Sequence, residues 1–166
     1  VSAFLLNRSS DEGWKERIKE LEQEQGWEFT DEQMNGIKMG LENNVLLIHA
    51  AAGCGKSSLV NGILASLPNY SHTMCALSGR ASARLAEITG EEGFTIHRLL
   101  GYPRGEDKYQ GFTYNQDNQL GYDIFILDEI SMVDAKLFYY LIRSIPSGSK
   151  LIMLGDVAQL EAIGCG

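Results

Sequence analysis

Hydrophobic residues fall along the chain in two patterns that alternate with each other. Short, mainly apolar runs, which are typical of strands buried in a parallel sheet, occupy 45–48, 71–78, 122–128 and 150–154. Segments with apolar residues at helical spacing lie before and between these runs, at 11–25, 30–43, 59–67, 79–90, 95–100 and 134–146. Because strands and helices alternate at spacings that suit right-handed crossovers, we predict a three-layer α/β fold with a mainly parallel sheet.

Local signals mark where one of these helices begins. Thr30 followed by Gln33 has the spacing of a capping box, and Phe29 with Met34 has the spacing of a hydrophobic staple. Both patterns predict a helix start at position 31. In contrast, the polar, aromatic and glycine-containing segment 101–121 has no helical period, which predicts a hairpin or an exposed excursion.

Composition indicates an ordinary soluble domain. The 166 residues are 44% hydrophobic and 22% charged, no apolar run is long enough to span a membrane, and the chain does not start with a signal-peptide pattern. The odd set of Cys54, Cys75 and Cys165 has no C-x-x-C spacing, so we expect neither a disulfide framework nor a zinc site, and a reducing, cytoplasmic setting without a membrane partner. The net charge of −8 argues against nucleic-acid binding by bulk electrostatics alone, but it permits a groove with a few cations and stacking aromatic residues.

The first predicted strand leads into a glycine-rich stretch that reads HAAAGCGKSS from position 49, and a helix follows. This is the context of a phosphate-binding loop, where backbone N–H groups and the positive end of a helix face an anion. Lys56 would reach the β- and γ-phosphates, and the Ser57 hydroxyl would ligate Mg²⁺. The strict pattern has Gly where this chain has Ala50, so we expect a slightly different entry into the loop. The residues predicted to bind the nucleotide here are Ala52, Gly53, Cys54, Gly55, Lys56, Ser57 and Ser58.

Polar residues also follow the third and fourth predicted strands. Because ligands of a parallel sheet collect at the carboxyl ends of its strands, we expect these residues beside the glycine-rich loop. Asp128 would hold Mg²⁺ together with Ser57, and Glu129 would orient and deprotonate water. Gln159 is a candidate sensor of the γ-phosphate, although a solvent-exposed loop glutamine is an equally good interpretation. The alternative, purely structural interpretation of Asp128 and Glu129 is a pair of charges at the start of a helix.

Gln33 has two possible roles that do not exclude each other. Its place in the capping box explains it structurally. Because it lies just upstream of the glycine-rich loop, its amide could also contact the edge of an adenine base.

Several motifs together resemble the first motor domain of superfamily 1B helicases, the RecD-like group. The matching stretches are FTDEQ, AAGCGKSS, LSGRASARLAEITG followed by FTIHRLLG, DIFILDEISMVD and LIMLGDVAQLEAIGCG. The resemblance runs from about Phe29 to Gly166. It implies a RecA-like domain whose parent enzyme couples ATP hydrolysis to 5′-to-3′ movement along single-stranded DNA. Family positions for the nucleotide, Mg²⁺ and coupling are matched by Gln33, Lys56, Ser57, Asp128, Glu129 and Gln159.

The resemblance also predicts how the chain is organised. It divides the chain into an N-terminal helical segment or linker at 1–28 and a RecA-like ATPase domain at 29–166. It implies a second RecA-like domain in the same parent chain, which supplies an arginine finger and half of the DNA track. We therefore expect the 166 residues to be a fragment with weak or no activity of its own. Glu161 stands where the family commonly has Pro.

Contacts with single-stranded DNA are expected in the matching segments after the second strand. Arg80, Thr95 and His97 are the candidates. Each also has a structural explanation: Arg80 could pair with a carboxylate, Thr95 could cap a helix, and His97 could be packed within one.

Two other functions share the same loop chemistry. A P-loop phosphotransferase would use Lys56 and Ser57 to pass phosphate to a metabolite, but the sequence has no obvious lid for an acceptor pocket. A non-catalytic, nucleotide-gated binding module would use Glu129 only as a charge at a helix start. The motor ATPase domain of a DNA helicase is the function that we predict.

Overall fold

A computed structural model describes residues 13–50, 55–101 and 111–156. Two helices precede the sheet: α1 (Trp14–Gln25) and α2 (Asp31–Glu42). The remaining elements are β1 (Val45–His49), α3 (Lys56–Ser66), β2 (His72–Ala76), α4 (Gly79–Thr89), β3 (Gly93–Thr95), α5 (Ile96–Leu100), β4 (Ile124–Leu127), α6 (Ala135–Ser144) and β5 (Lys150–Gly155). A short 3₁₀ turn (Ile130–Met132) lies between β4 and α6.

The five strands form one parallel sheet in the order β1-β5-β4-β2-β3. The helix α3 connects β1 to β2, and α4 connects β2 to β3. From β3 the chain returns towards β1, through α5 to β4 and through α6 to β5. Helices therefore cover both faces of a parallel sheet, which confirms the predicted three-layer α/β fold.

The apolar core has two parts, one on each face of the sheet. One face packs against α1 to α4, and its buried strand residues are Leu46, Ile48, Met74, Ala76, Ile124, Ile126, Ile152 and Leu154. The other face packs against α5 and α6, and its buried strand residues are Cys75, Phe125, Leu127 and Leu151. Because successive side chains of a strand point to opposite faces, the two parts share every inner strand of the sheet.

The helix starts that local signals predicted are confirmed by hydrogen bonds. Gln33 N donates to Thr30 Oγ1 at 3.2 Å, and Thr30 N donates to Gln33 Oε1 at 3.0 Å, which completes the capping box. Thr95 Oγ1 accepts from Arg98 N at 3.2 Å at the start of α5. Caps of this kind each stabilise a helix by about 1 kcal/mol.

The structure departs from the sequence prediction in the segments around α5. Gly93–Thr95 forms a short strand paired with β2 that the apolar pattern did not indicate. In the predicted hairpin or excursion at 101–121, residues 111–121 contain bends and no strand, while 102–110 lie outside the described residues. The described part of this segment therefore fits an excursion rather than a hairpin.

Candidate functional site

The carboxyl ends of β1, β5 and β4 lie side by side at one edge of the sheet. His49 is opposite Gly155, and Leu127 is opposite Met153. Since neighbouring strands are roughly 4.8 Å apart, the ends of β1 and β4 are separated by roughly 10 Å. The glycine-rich loop after β1 and the two acidic residues after β4 therefore begin on either side of β5.

Lys56 is the first residue of α3, and its ammonium lies over the ends of two strands. Gly55 precedes it with φ 79°, a left-handed conformation that glycine adopts without strain. Lys56 Nζ donates to the carbonyl oxygen of Ala50 at 2.8 Å and to that of Gly155 at 3.1 Å. These bonds hold a cation at the positive end of a helix, where an anion is favoured.

Ala50 resolves the question raised by the missing glycine at the loop entry. Ala50 N donates to Gly155 O at 3.4 Å, and among the described residues other than glycine Glu129 alone has a positive φ. Ala50 therefore continues the ladder of β1 with ordinary backbone angles. Glycine has no conformational advantage at this position.

Ser57 and Ser58 occupy the first turn of α3 and are half-buried. Neither hydroxyl forms a hydrogen bond with the residues at 13–50, 55–101 or 111–156. Both hydroxyls can therefore accept a ligand without breaking an existing bond to these residues.

Gln33 connects the start of α2 to the glycine-rich loop. Its Oε1 accepts the capping bond from Thr30, while its Nε2 lies against Gly55, so close that a Cβ on Gly55 would be 2.7 Å away. The oxygen is thus committed to the helix cap, and the nitrogen faces the loop. This geometry satisfies the structural role of Gln33 in the capping box and leaves its amide N–H donors available for contact with a ligand.

A pocket of about 510 Å³ extends from Lys56 along α2. Its size lies within the range of roughly 300 to 1,000 Å³ that is typical of small-molecule sites. Its polar and charged lining residues are Thr30, Glu32, Gln33, Asn35, His49 and Lys56. The ammonium of Lys56 at one end is the feature of the pocket that suits an anionic group, while the side along α2 carries amide and apolar groups and the carboxylate of Glu32.

Asp128 and Glu129 follow β4, which ends one residue earlier than predicted, at Leu127. Asp128 N donates to Cys75 O at 2.9 Å, and Asp128 Oδ1 accepts from Glu129 N at 2.8 Å. Glu129 has φ 54° and ψ 43°, in the left-handed region. A residue other than glycine held there costs about 1–3 kcal/mol, and such strain concentrates at functional sites.

The oxygen atoms available at this site suit a Mg²⁺ ion that is bound together with phosphate groups. No group of three or more metal-binding side chains is present in the described parts of the chain. Mg²⁺ at phosphate sites uses only one or two protein oxygens together with water and the phosphates. Asp128 keeps one carboxylate oxygen without a bond to a described residue, and Ser57 keeps its hydroxyl.

Part of the predicted site lies outside the described residues. Ala52, Gly53 and Cys54 of the loop and Gln159 after β5 belong to this part. Their predicted roles therefore remain predictions.

The candidates for DNA contacts lie at the same edge of the sheet, beyond β4. Arg80 in α4 is exposed and has no hydrogen bond or ion pair with any residue the structure describes. Its structural explanation, an ion pair with a carboxylate, is therefore not found among the described residues. The hydroxyl of Thr95 caps α5, as its structural explanation required. His97 is half-buried, with its ring centroid 6.1 Å from that of Phe112.

The sequence interpretation missed two features of this edge. The carbonyl groups of Ala50 and Gly155 position Lys56, and no sequence signal identifies a carbonyl acceptor. Asp156 directly follows β5, between the loop and the acidic pair. Its strand end was among those expected to carry chemistry, but Asp156 itself was given no role.

Comparison with known proteins shows the family of the chain. A family model described as AAA domain (AAA_19) matches residues 33–165. The chain belongs to this AAA domain family. The matched range includes Gln33, the glycine-rich loop, Asp128, Glu129 and Gln159.

The AAA domain is similar to helicases in both sequence and structure. It is 32% identical over 140 residues to the ATP-dependent RecD2 DNA helicase of Deinococcus radiodurans, covering 83% of this chain and 19% of the relative. It is 29% identical over 161 residues to the RecBCD enzyme subunit RecD of Mycolicibacterium smegmatis, covering 82% and 29%. A solved structure of Bacteroides sp Pif1 in complex with ADP-AlF4 has a TM-score of 0.54 and 27% identity, covering 77% and 32%.

These relatives confirm the resemblance to the first motor domain of RecD-like superfamily 1B helicases. The matched region spans 19% to 32% of the length of these three proteins. Among the described residues, no helix combines the length and apolar character that crossing a membrane requires.

Proposed function

We propose that this AAA domain binds and hydrolyses ATP with Mg²⁺, as the first motor domain of a DNA helicase that moves 5′ to 3′ on single-stranded DNA. The observation that carries the proposal is the ammonium of Lys56, held at the start of α3 by carbonyl oxygens at the ends of two strands. A fixed cation at the positive end of a helix is suited to a polyphosphate. The RecD2 relative, named as an ATP-dependent DNA helicase, supports the choice of nucleotide and of nucleic acid.

Lys56 would bind the β- and γ-phosphates. Because two of the three donors of its Nζ are already bonded, the third is left for a phosphate oxygen, and binding orders little additional side chain. The backbone N–H groups of the loop would surround the same phosphates. The residues proposed for this cradle are Ala52, Gly53, Cys54, Gly55 and Ser58.

Ser57 and Asp128 would hold the metal between the start of α3 and the end of β4. When bound, Mg²⁺ would supply positive charge that offsets the negative charge developing on the phosphates. The protein oxygens that would hold it are the Ser57 hydroxyl and the Asp128 carboxylate oxygen that does not accept from Glu129 N.

Glu129 would orient the attacking water and accept its proton. The left-handed turn at Glu129 directs its side chain differently from that of a residue extending the strand. This difference in direction would allow Asp128 and Glu129 to take separate roles. Gln159 would detect the γ-phosphate, and Gln33 Nε2 would donate to adenine while Oε1 stays in the capping box.

Single-stranded DNA would run along the edge formed by the ends of β2 and β3, where exposed Arg80 is a cation available for a phosphate. Thr95 and His97 would contribute contacts from the start of α5. A second RecA-like domain of the parent chain would supply an arginine finger, an interaction worth roughly 10³ to 10⁵ in rate. We place the parent protein in the cytoplasm.

The test is the affinity of the 166-residue chain for Mg-ATP, measured by calorimetry. Lys56→Ala removes the contact between the ammonium and the phosphates, so we expect affinity to fall about 10- to 100-fold, using about 1.5–3 kcal/mol for a charged hydrogen bond. Lys38→Ala is the matched control, because Lys38 is exposed on α2 and pairs only weakly with Glu42 at 3.8 Å. Equal affinity of Lys56→Ala and Lys38→Ala would contradict the proposal.

A further inference from the structure

The side-chain amide of Gln33 has one end bonded within the fold and the other end free. Thr30 N donates to Gln33 Oε1 at 3.0 Å in the capping box. Since a backbone N–H can only donate, the atom of the amide that faces Thr30 must be the oxygen. Gln33 Nε2 lies beside Gly55 and forms no hydrogen bond within the described parts of the chain. Gln33 therefore presents two N–H donors to a ligand, while its acceptor is directed to the start of α2.

These free donors lie in the pocket that also contains Lys56. The ammonium of Lys56 is at one end of the pocket, and α2 forms one side of it. A nucleotide whose phosphates contact Lys56 would place its base along this side. Because Gln33 Nε2 is the amide group next to the glycine-rich loop, its donors are positioned for the edge of that base.

A group that only donates matches guanine better than adenine. The edge of adenine that carries N7 also carries the N6 amine, so a glutamine that contacts both uses its donor and its acceptor together. The same edge of guanine carries N7 and O6, which are both acceptors. One N–H of Gln33 Nε2 can therefore bind N7 of either purine, and the second N–H finds a partner only in guanine.

The other polar residues of α2 in this pocket do not restore a preference for adenine. Glu32 is exposed, and its carboxylate can accept from the amine of adenine or from the N–H groups of guanine. Asn35 is also exposed and carries both a donor and an acceptor, with its Nδ2 3.9 Å from Met39 Sδ. Its amide can turn to suit either base.

We propose that this site accepts guanine nucleotides as readily as adenine nucleotides, because the capping box occupies the acceptor that would select adenine. The inference rests on the proposed function, since it requires the phosphates to lie at Lys56. It makes Thr30 a positioning residue whose N–H acts on nucleotide selection through Gln33. The substrate class is then purine nucleoside triphosphates rather than ATP alone.

The experiment is calorimetric titration of the 166-residue chain with Mg-ATP, Mg-GTP and Mg-ITP. The base of ITP has the N7 and O6 of guanine without its amine, so ITP separates contacts made by Gln33 from contacts made by Glu32. We expect GTP and ITP to bind as tightly as ATP or up to about tenfold more tightly, which is the effect of one additional neutral hydrogen bond. Tight binding of GTP with weak binding of ITP would overturn the role of Gln33.

Two substitutions of Thr30 test the cause of the selectivity. Thr30 has φ −69° and ψ 161°, which proline can adopt, so Thr30→Pro removes the N–H that donates to Gln33 Oε1. Thr30→Ala is the matched control, because it keeps this N–H and both variants lose the capping hydroxyl. The freed oxygen can accept from the N6 amine, so we expect the preference for ATP over GTP to rise at least about fivefold in Thr30→Pro relative to Thr30→Ala. Equal preferences in the two variants would overturn the proposal.

Failure of this inference and failure of the proposed function give different results. If none of the three nucleotides binds, the proposed function is wrong and the inference falls with it. If ATP binds and both GTP and ITP bind at least tenfold more weakly, the proposed function stands and the inference alone is overturned. This comparison uses the unmodified chain, so it decides the matter even where Thr30→Pro does not fold.

Discussion

Replacing Gly55 by alanine tests how the glycine-rich loop, the start of α3 and the capping box depend on one another. Gly55 has φ 79°, and a Cβ added there would lie 2.7 Å from Gln33 Nε2. The contact is with a side chain, so Gln33 can move. Moving it breaks the bond that Gln33 Oε1 accepts from Thr30 N.

The expected cost has two parts. An alanine in the left-handed region costs about 1–2 kcal/mol, and loss of one capping bond adds about 1 kcal/mol. Gly55→Ala should therefore destabilise the protein by about 2–3 kcal/mol. Gly26→Ala is the matched control, because Gly26 has φ 78° and no atom within 4 Å of the added Cβ, so it should show only the first part.

Urea unfolding of the two variants gives both free energies, and the difference between them isolates the contact with Gln33. In a Gln33→Ala background this contact is absent, so the further cost of Gly55→Ala should fall to that of Gly26→Ala. If Gly55→Ala costs no more than Gly26→Ala with Gln33 present, the proposed coupling between the loop and the capping box is wrong.

Three further predictions concern single side chains. Glu129→Gln in the parent chain should retain Mg-ATP binding and lower DNA-stimulated turnover by at least about 100-fold in a steady-state assay; unchanged turnover would reduce Glu129 to a structural role. Burial lowers the pKa of Lys150 from 10.5 to about 8, and its Nζ donates to Asn43 O, so the unfolded chain binds more protons than the folded one between these pH values. The free energy of unfolding should therefore rise with pH across this window by about 2 kcal/mol relative to that of Lys150→Met, after allowance for solvent screening. If the difference in unfolding free energy between the two proteins does not change with pH, the buried ammonium is contradicted. Iodoacetamide should modify Cys54 more slowly when Mg-ATP is present, as measured by peptide mass spectrometry. Cys75 should stay unmodified in the folded protein, because burial raises its pKa to about 12. Equal labelling of Cys54 with and without nucleotide would place it away from the phosphates.

Elements with local signals could be predicted from the sequence. The capping box at Thr30 and Gln33 and the cap at Thr95 involve residues three positions apart, so the sequence contains both partners of each bond. The buried strands β4 and β5 were recognised from continuous apolar runs. These features depend on neighbours along the chain, which is why the patterns identified them.

Features that depend on distant residues could not be predicted in the same way. The strand β3 has three residues and no apolar run, and it exists because Gly93–Thr95 pairs with β2. The position of Lys56 depends on Gly155, 99 residues later, and on β5 lying beside β1. The left-handed backbone at Glu129 is unfavourable for that residue type, so no local propensity indicates it.

The central claim is that one nucleotide and its metal ion lie at the carboxyl edge of the sheet, between the start of α3 and the end of β4. Paramagnetic broadening of backbone amides by Mn-ATP, measured by NMR, tests this most directly. We predict that the amides of Lys56, Ser57 and Asp128 broaden, while that of Lys150 at the opposite edge does not. Broadening centred on any other part of the protein, with Ser57 and Asp128 unaffected, would contradict the account.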